Sequence, residues 1–279
     1  MQLGIFAKTF TRPSLEGVFD AVASHGFHLT QFNFSCAGLP NLPKRVEPEV
    51  LARIRRETEA RKLQIVAMSG TFNMIHPDPE HRQEGLRGLR VLAEACRQLG
   101  VPFISLCTGT RDPQDMWRHH PENQSADSWR DLTHTLSEAL VIAEQFNVTL
   151  GVEPEVSNVV DSPRKGRRLL DEMKSKHLKI IFDGANLFPA GTLPQMRSTL
   201  DQAIELLGPD IVIAHAKDLD QDGEAGHLAA GKGLLDYDHY LFRLQQAGFQ
   251  GPLLLHGLAE SEVGESVRFL RSKLGQIQQ

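Results

Sequence analysis

Four residues end apolar runs and carry side chains of the kinds that bind metal ions. They are Glu153 in TLGVEPE, Asp183 in KIIFDGAN, His215 in IVIAHAKD and His256 in PLLLHGL. Carboxylate and imidazole mixed in this way suit one divalent ion, with manganese, cobalt, zinc and magnesium all open. A single polar residue at a strand end commonly caps or satisfies a loop. Four of them, at corresponding ends of neighbouring strands, point to a shared site instead.

Such a site needs elements to position it, and the chain alternates short apolar runs with longer amphipathic segments. The patterning predicts strands at 2–7, 30–34, 63–68, 103–107, 148–153, 178–182, 211–215 and 253–255. It predicts helices at 14–25, 49–61, 82–99, 128–146, 163–174, 199–207, 237–247 and 266–274. Ser14 reads as an N-cap and Gly26 as a stop. In the fourth helix Trp129, Leu132, Leu136, Leu140 and Ala143 recur on one face, as packing against a sheet requires. Eight strand–helix pairs without a linker predict an α/β fold, one (β/α)8 TIM barrel spanning 1–279 as a single domain. An open doubly wound sheet usually carries a glycine fingerprint after its first strand; here that turn reads AKTFTRPS.

Composition narrows the partners. A formal net charge of −5 supplies no global attraction to nucleic acid or anionic lipid. No run approaches ~18 apolar residues, and no leader precedes the first strand, so neither a membrane span nor a signal peptide is expected. Three scattered cysteines, Cys36, Cys96 and Cys107, fit reduced thiols and a cytoplasmic protein better than a disulfide framework. The expected partner is a small polyhydroxylated substrate, with homo-oligomerisation left open.

Active sites of such barrels form at the strand C-termini and the loops after them. On that ground Lys8, Asn33, Asn73, His76 and Lys217 are candidate substrate contacts. Each has a plainer alternative: a solvated lysine, an asparagine serving backbone, a histidine capping a helix, or a lysine paired with Asp218. The stretch 111–127, with WRHH at Trp117–His120, is longer than an ordinary βα connection, and loops of that length are often lids.

The order GVEPE, FDGAN, AHAKD, HLAAGKG and GFQGPLLLHGL resembles the successive strand ends of the xylose isomerase-like barrel family, most strongly over 149–258. That family includes sugar epimerases, isomerases, dehydratases and zinc AP endonucleases. The resemblance implies that Glu153 is a metal ligand and proton-transfer base, and that Asp183 and His215 are further ligands. It places Asn186 where many relatives have histidine, and His227 where relatives put a residue facing substrate or metal. His76 resembles a mouth histidine of the family. The departure is His256, where sugar epimerases usually carry a glutamate that binds metal and moves a proton. A neutral imidazole can ligate and accept a proton, so His256 is expected as fourth ligand and second catalytic group, with affinity falling as pH drops through ~6.5. Glu260 could also reach in from the following loop.

The expected function is therefore a divalent-metal-dependent isomerase or epimerase of a sugar, sugar phosphate or keto acid, moving a proton next to a carbonyl. A dehydratase shares that first step. An abasic-site nuclease is disfavoured by the acidic balance, by Asn186, and by Ala225 where the endonucleases carry an aspartate. A non-catalytic sugar-binding barrel stays open because of His256.

Overall fold

The computed structural model describes residues 1–277. Its strands are β1 (Gln2–Phe6), β2 (Leu29–Phe32), β3 (Gln64–Ser69), β4 (Phe103–Leu106), β5 (Thr149–Val152), β6 (Leu178–Asp183), β7 (Ile211–Asp218), β8 (Leu228–Ala229) and β9 (Pro252–Leu255). The helices are α1 (Leu15–Ser24), α2 (Pro48–Ala60), α3 (Pro79–Leu99), α4 (Ala126–Phe146), α5 (Pro163–Met173), α6 (Met196–Leu207), α7 (Tyr237–Gln246) and α8 (Val263–Ile277). Parallel strands run in the order β6-β5-β4-β3-β2-β1-β9-β7, and β6 pairs with β7 to close the barrel. The expected (β/α)8 barrel is the observed fold.

Differences from the expected elements lie at helix starts, at strand ends, where β2 stops at Phe32 and β7 runs on to Asp218, and in one extra strand. Helix α3 begins at Pro79, where the missing N–H is one the first turn does not use, and Asp78 caps it through Glu80 N. The two-residue β8 runs antiparallel to the end of β7, pairing Lys217 with Ala229 and Asp218 with Leu228. It belongs to a loop closed at its base by Asp218. One carboxylate oxygen accepts from Leu219 N at 3.0 Å and Leu235 N at 2.9 Å, the other from Gly231 N at 2.9 Å. Among the described residues no helix is long and apolar enough to cross a membrane.

Two core layers follow from the period of two along each strand. One face packs on the helices, as Leu132, Leu136 and Ala143 of α4 do. A separate cluster of strand residues only, with Leu29, Ile181, Ile213 and Leu254 among them, fills the barrel interior. Gly151 belongs to this layer, since a Cβ there would lie 2.7 Å from Ile181. Two residues further along these strands come Gln31, Glu153, Asp183, His215 and His256. The alternation that buries the apolar layer thus aims the polar one into the mouth above it.

Helix α7 fastens the two central strands at that level. The hydroxyl of Tyr240 lies 3.0 Å from His215 O and 3.3 Å from Phe182 O, and Tyr237 donates to Lys217 O at 2.9 Å.

Candidate active site

The ladder sets Asp183 directly beside His215 across β6 and β7, while Glu153 follows β5 and His256 follows β9. One ligand atom from each of the four lies within 4.8 Å of every other. His215 Nδ1 is 3.5 Å from Glu153 Oε1 and 3.7 Å from Asp183 Oδ2, and His256 Nε2 is 3.9 Å from the same Asp183 oxygen. Asp183 Oδ2 and both ring nitrogens of His215 are buried without a hydrogen bond, although Lys217 Nζ stands 3.2 Å from that oxygen. Buried polar atoms are rarely left so. Two carboxylates and two imidazoles converging on one point fit a divalent cation, which would satisfy these atoms together.

The electrostatics differ between the two histidines. Burial lowers the pKa of His215, but Glu153 and Asp183 outweigh it and push it up to about 9. For Asp183, burial favours the neutral acid, yet Lys217 and His215 hold the carboxyl below its usual range. His256 goes the other way: burial first, then Lys217 and His215, drive it well below the ordinary histidine value. In the protein without an ion this favours the neutral imidazole.

Neighbouring residues hold these side chains in place. Asn186 donates to Glu153 Oε1 at 2.7 Å, and Ala185 N donates to Asp183 Oδ1 at 2.9 Å. Phe6 stacks on His256, with centroids 4.7 Å apart and planes 21° from parallel. Gly257, at φ +71°, lets the Lys217 stem pass, since a Cβ there would lie 2.9 Å from Lys217 Cδ.

Above the four residues opens a mouth of about 800 Å³. Lys8, Asn33, Lys217 and His227 of the expected contacts line it, together with Glu153, His215 and His256. Asn186 lies fully buried behind Glu153 and acts on that carboxylate instead. His76 stands outside the lining, packed against His81 and accepting from Asp78 N at the start of α3. Glu260 does not reach in either, because Arg12 grips both its oxygens at 2.6 and 2.8 Å.

Several lining residues were not anticipated. Glu155 faces the mouth two residues after Glu153, with Asn158 donating to it at 3.3 Å; burial, then the charge of Glu153, raises its carboxyl to about 7. The spacing in EPE was the available signal. Gln31, Ser69 and Ser105 form a neutral wall, and the long β4–α4 loop singled out in the sequence brings Trp117, Arg118 and His119 to the rim.

Fold and site together define a barrel with a metal-type centre at the strand C-termini, and the family follows. The chain belongs to the xylose isomerase-like TIM barrel family, whose model matches residues 19–273. It is 24% identical over 190 residues to L-ribulose-5-phosphate 3-epimerase UlaE of Shigella flexneri serotype 5b (strain 8401), covering 68% of this chain and 62% of that enzyme. The chain thus matches less than two thirds of that relative's length. Among solved structures it superposes on a D-tagatose 3-epimerase-like protein with a TM-score of 0.79 at 17% identity, covering 100% of this chain and 98% of the other. It also superposes on an IOLI protein with a binding zinc atom, at a TM-score of 0.75 and 17% identity, covering 99% and 98%. At these identities the superpositions show the fold.

Proposed function

We propose that this protein is a divalent-metal-dependent isomerase or epimerase that moves a proton next to the carbonyl of a small polyhydroxylated substrate. The observation that carries this reading is the convergence of Glu153, Asp183, His215 and His256, with buried ligand atoms that have no hydrogen-bond partner. The relatives' names, an epimerase of a sugar phosphate and an epimerase-like protein, support the same reaction class.

Glu153, Asp183, His215 and His256 would hold a divalent ion, which would supply Lewis acidity at the substrate carbonyl and make the adjacent C–H more acidic. Glu153 takes that proton. Its hydrogen bond from Asn186 fixes the carboxylate plane and leaves the second oxygen free to face the mouth. His256, its ring held flat against Phe6, would complete the set that holds the ion.

Turnover is tested on a panel of ketoses, their phosphates and keto acids in deuterated water, with metal added. The expected result is deuterium entering substrate next to the carbonyl, with Glu153→Gln slower by roughly 10²–10⁴-fold while the fold persists. A Glu153→Gln protein of undiminished activity removes Glu153 from the chemistry. Absence of exchange across the panel sinks the proposal.

A further inference from the structure

We propose that the substrate is a polyhydroxylated keto acid, its carboxylate held between Lys8 and Lys217 and its hydroxyls on the wall formed by β2, β3 and β4; this rests on the metal-dependent reading above. The mouth is electrically two-sided. On the β1, β7 and β9 side, Lys8, Lys217, His227 and His256 line both the main cavity and the smaller hollow beside it. The Lys8 ammonium stands 5.5 Å from the centre of the Phe6 ring, whose stacking on His256 places it next to the ligand cluster.

Among the described residues no carboxylate lies within 4.0 Å of Lys8 Nζ. Burial lowers the Lys8 pKa; Glu153 opposes that and Lys217 adds to it, so the two ammonium groups act on one space. Lys217 is 5% exposed, and its near carboxylate oxygen, Asp183 Oδ2 at 3.2 Å, belongs to the ligand cluster. Glu153 and Asp183 together balance a divalent ion. Lys8 and Lys217 are then the positive groups of this side, and of the other lining carboxylates, Glu155 and Glu224, neither lies within 4.0 Å of Lys8 Nζ. A lysine ammonium at the mouth without a carboxylate partner favours an anionic ligand over a neutral one.

The opposite wall carries no charge. Gln31 Nε2 donates to Ser69 Oγ and Ser105 Oγ at 2.9 Å each, and Ser69 Oγ donates to Asn33 Oδ1 at 3.2 Å. Gln31 Oε1 is buried and accepts no hydrogen bond from the protein. The guanidinium at the rim, Arg118, is already engaged by Asp112 at 3.2 Å. A phosphate on the distal carbon would therefore meet neutral groups, whereas a carboxylate beside the carbonyl meets the two lysines.

Calorimetric titration of the manganese-loaded protein compares D-fructose, 2-keto-D-gluconate and D-fructose 6-phosphate. These share a carbonyl at C2 and differ in a carboxylate at C1 or a phosphate at C6. The keto acid should bind roughly 10–100-fold more tightly than the ketose, the range expected for a charge-assisted contact. Because a keto acid can also chelate the ion by itself, Lys8→Met is measured too. The preference should collapse in Lys8→Met and largely persist in Lys8→Arg. The proposal falls if the ketose or the phosphate binds as tightly as the keto acid, if none of the three binds, or if Lys8→Met keeps the full preference. Keto-acid binding with the predicted Lys8 dependence but without deuterium exchange would leave this inference standing and remove the proton-transfer reading. Exchange on neutral ketoses with no preference for the acid would do the reverse.

Discussion

Imidazole at two of the four ligand positions makes this centre softer than an all-oxygen cage, and hard magnesium binds such donor sets weakly. Manganese, cobalt or zinc should therefore bind more tightly than magnesium. His256→Glu adds a hard, charged donor and should narrow that gap, and His256→Ala should weaken binding of every ion. Direct metal titration of the three proteins checks this. If His256→Ala binds manganese as wild type does, His256 is not a ligand. At this scale the convergence of Glu153, Asp183, His215 and His256 was legible because each ends an apolar run. Glu155, Gln31, Ser69 and Ser105 were not. Whether a small polar side chain faces the mouth depends on strand register, and Gln31 and Ser69 become neighbours only once β2 and β3 pair. His76 shows the opposite error, a plausible position whose ring serves the start of α3.

The strands that carry Asp183 and His215 are tied to α7 by the Tyr240 hydroxyl, which donates its one proton to a main-chain carbonyl at the level of the ligands. Tyr240→Phe keeps the ring and deletes that bond, leaving buried acceptors poorer by a donor. It should destabilise by about 1–3 kcal/mol and weaken metal binding a few-fold. Denaturant unfolding and a metal titration of the same variant are the checks; unchanged stability would show that the hydroxyl contributes nothing. Every expected strand and helix exists because apolar periodicity is set locally. The extra β8 escaped notice because two residues, Leu228 and Ala229, cannot establish a period, and their pairing depends on a loop folding back onto β7.

For the whole molecule, an ion held by Glu153, Asp183, His215 and His256 would cross-link four strand ends of the barrel, a link that the unfolded chain lacks. At a hundred times its dissociation constant an ion stabilises the native state by about 2.7 kcal/mol. Manganese should therefore raise the melting temperature by roughly 5 °C or more, and a chelator should reverse the change. A Glu153→Ala, Asp183→Ala double variant should show no response, and an equal rise in that variant would mean that the ion binds elsewhere.

Asp218 gives the barrel a different freedom. Its two oxygens pin Leu219, Gly231 and Leu235, so both roots of the loop between β7 and α7 are held from within the barrel. The segment Gly223–His227, which hangs over the mouth, is tied separately, by Gly223 N to Phe188 O at 2.8 Å and Gly226 N to Ala185 O at 3.0 Å. The loop is in effect an exchangeable cassette. With Gly226 kept, because a Cβ there would lie 2.6 Å from Asp218 O, a designer can change the other side chains of the overhang between the same anchors to alter what enters while leaving the barrel's strand ends where they are.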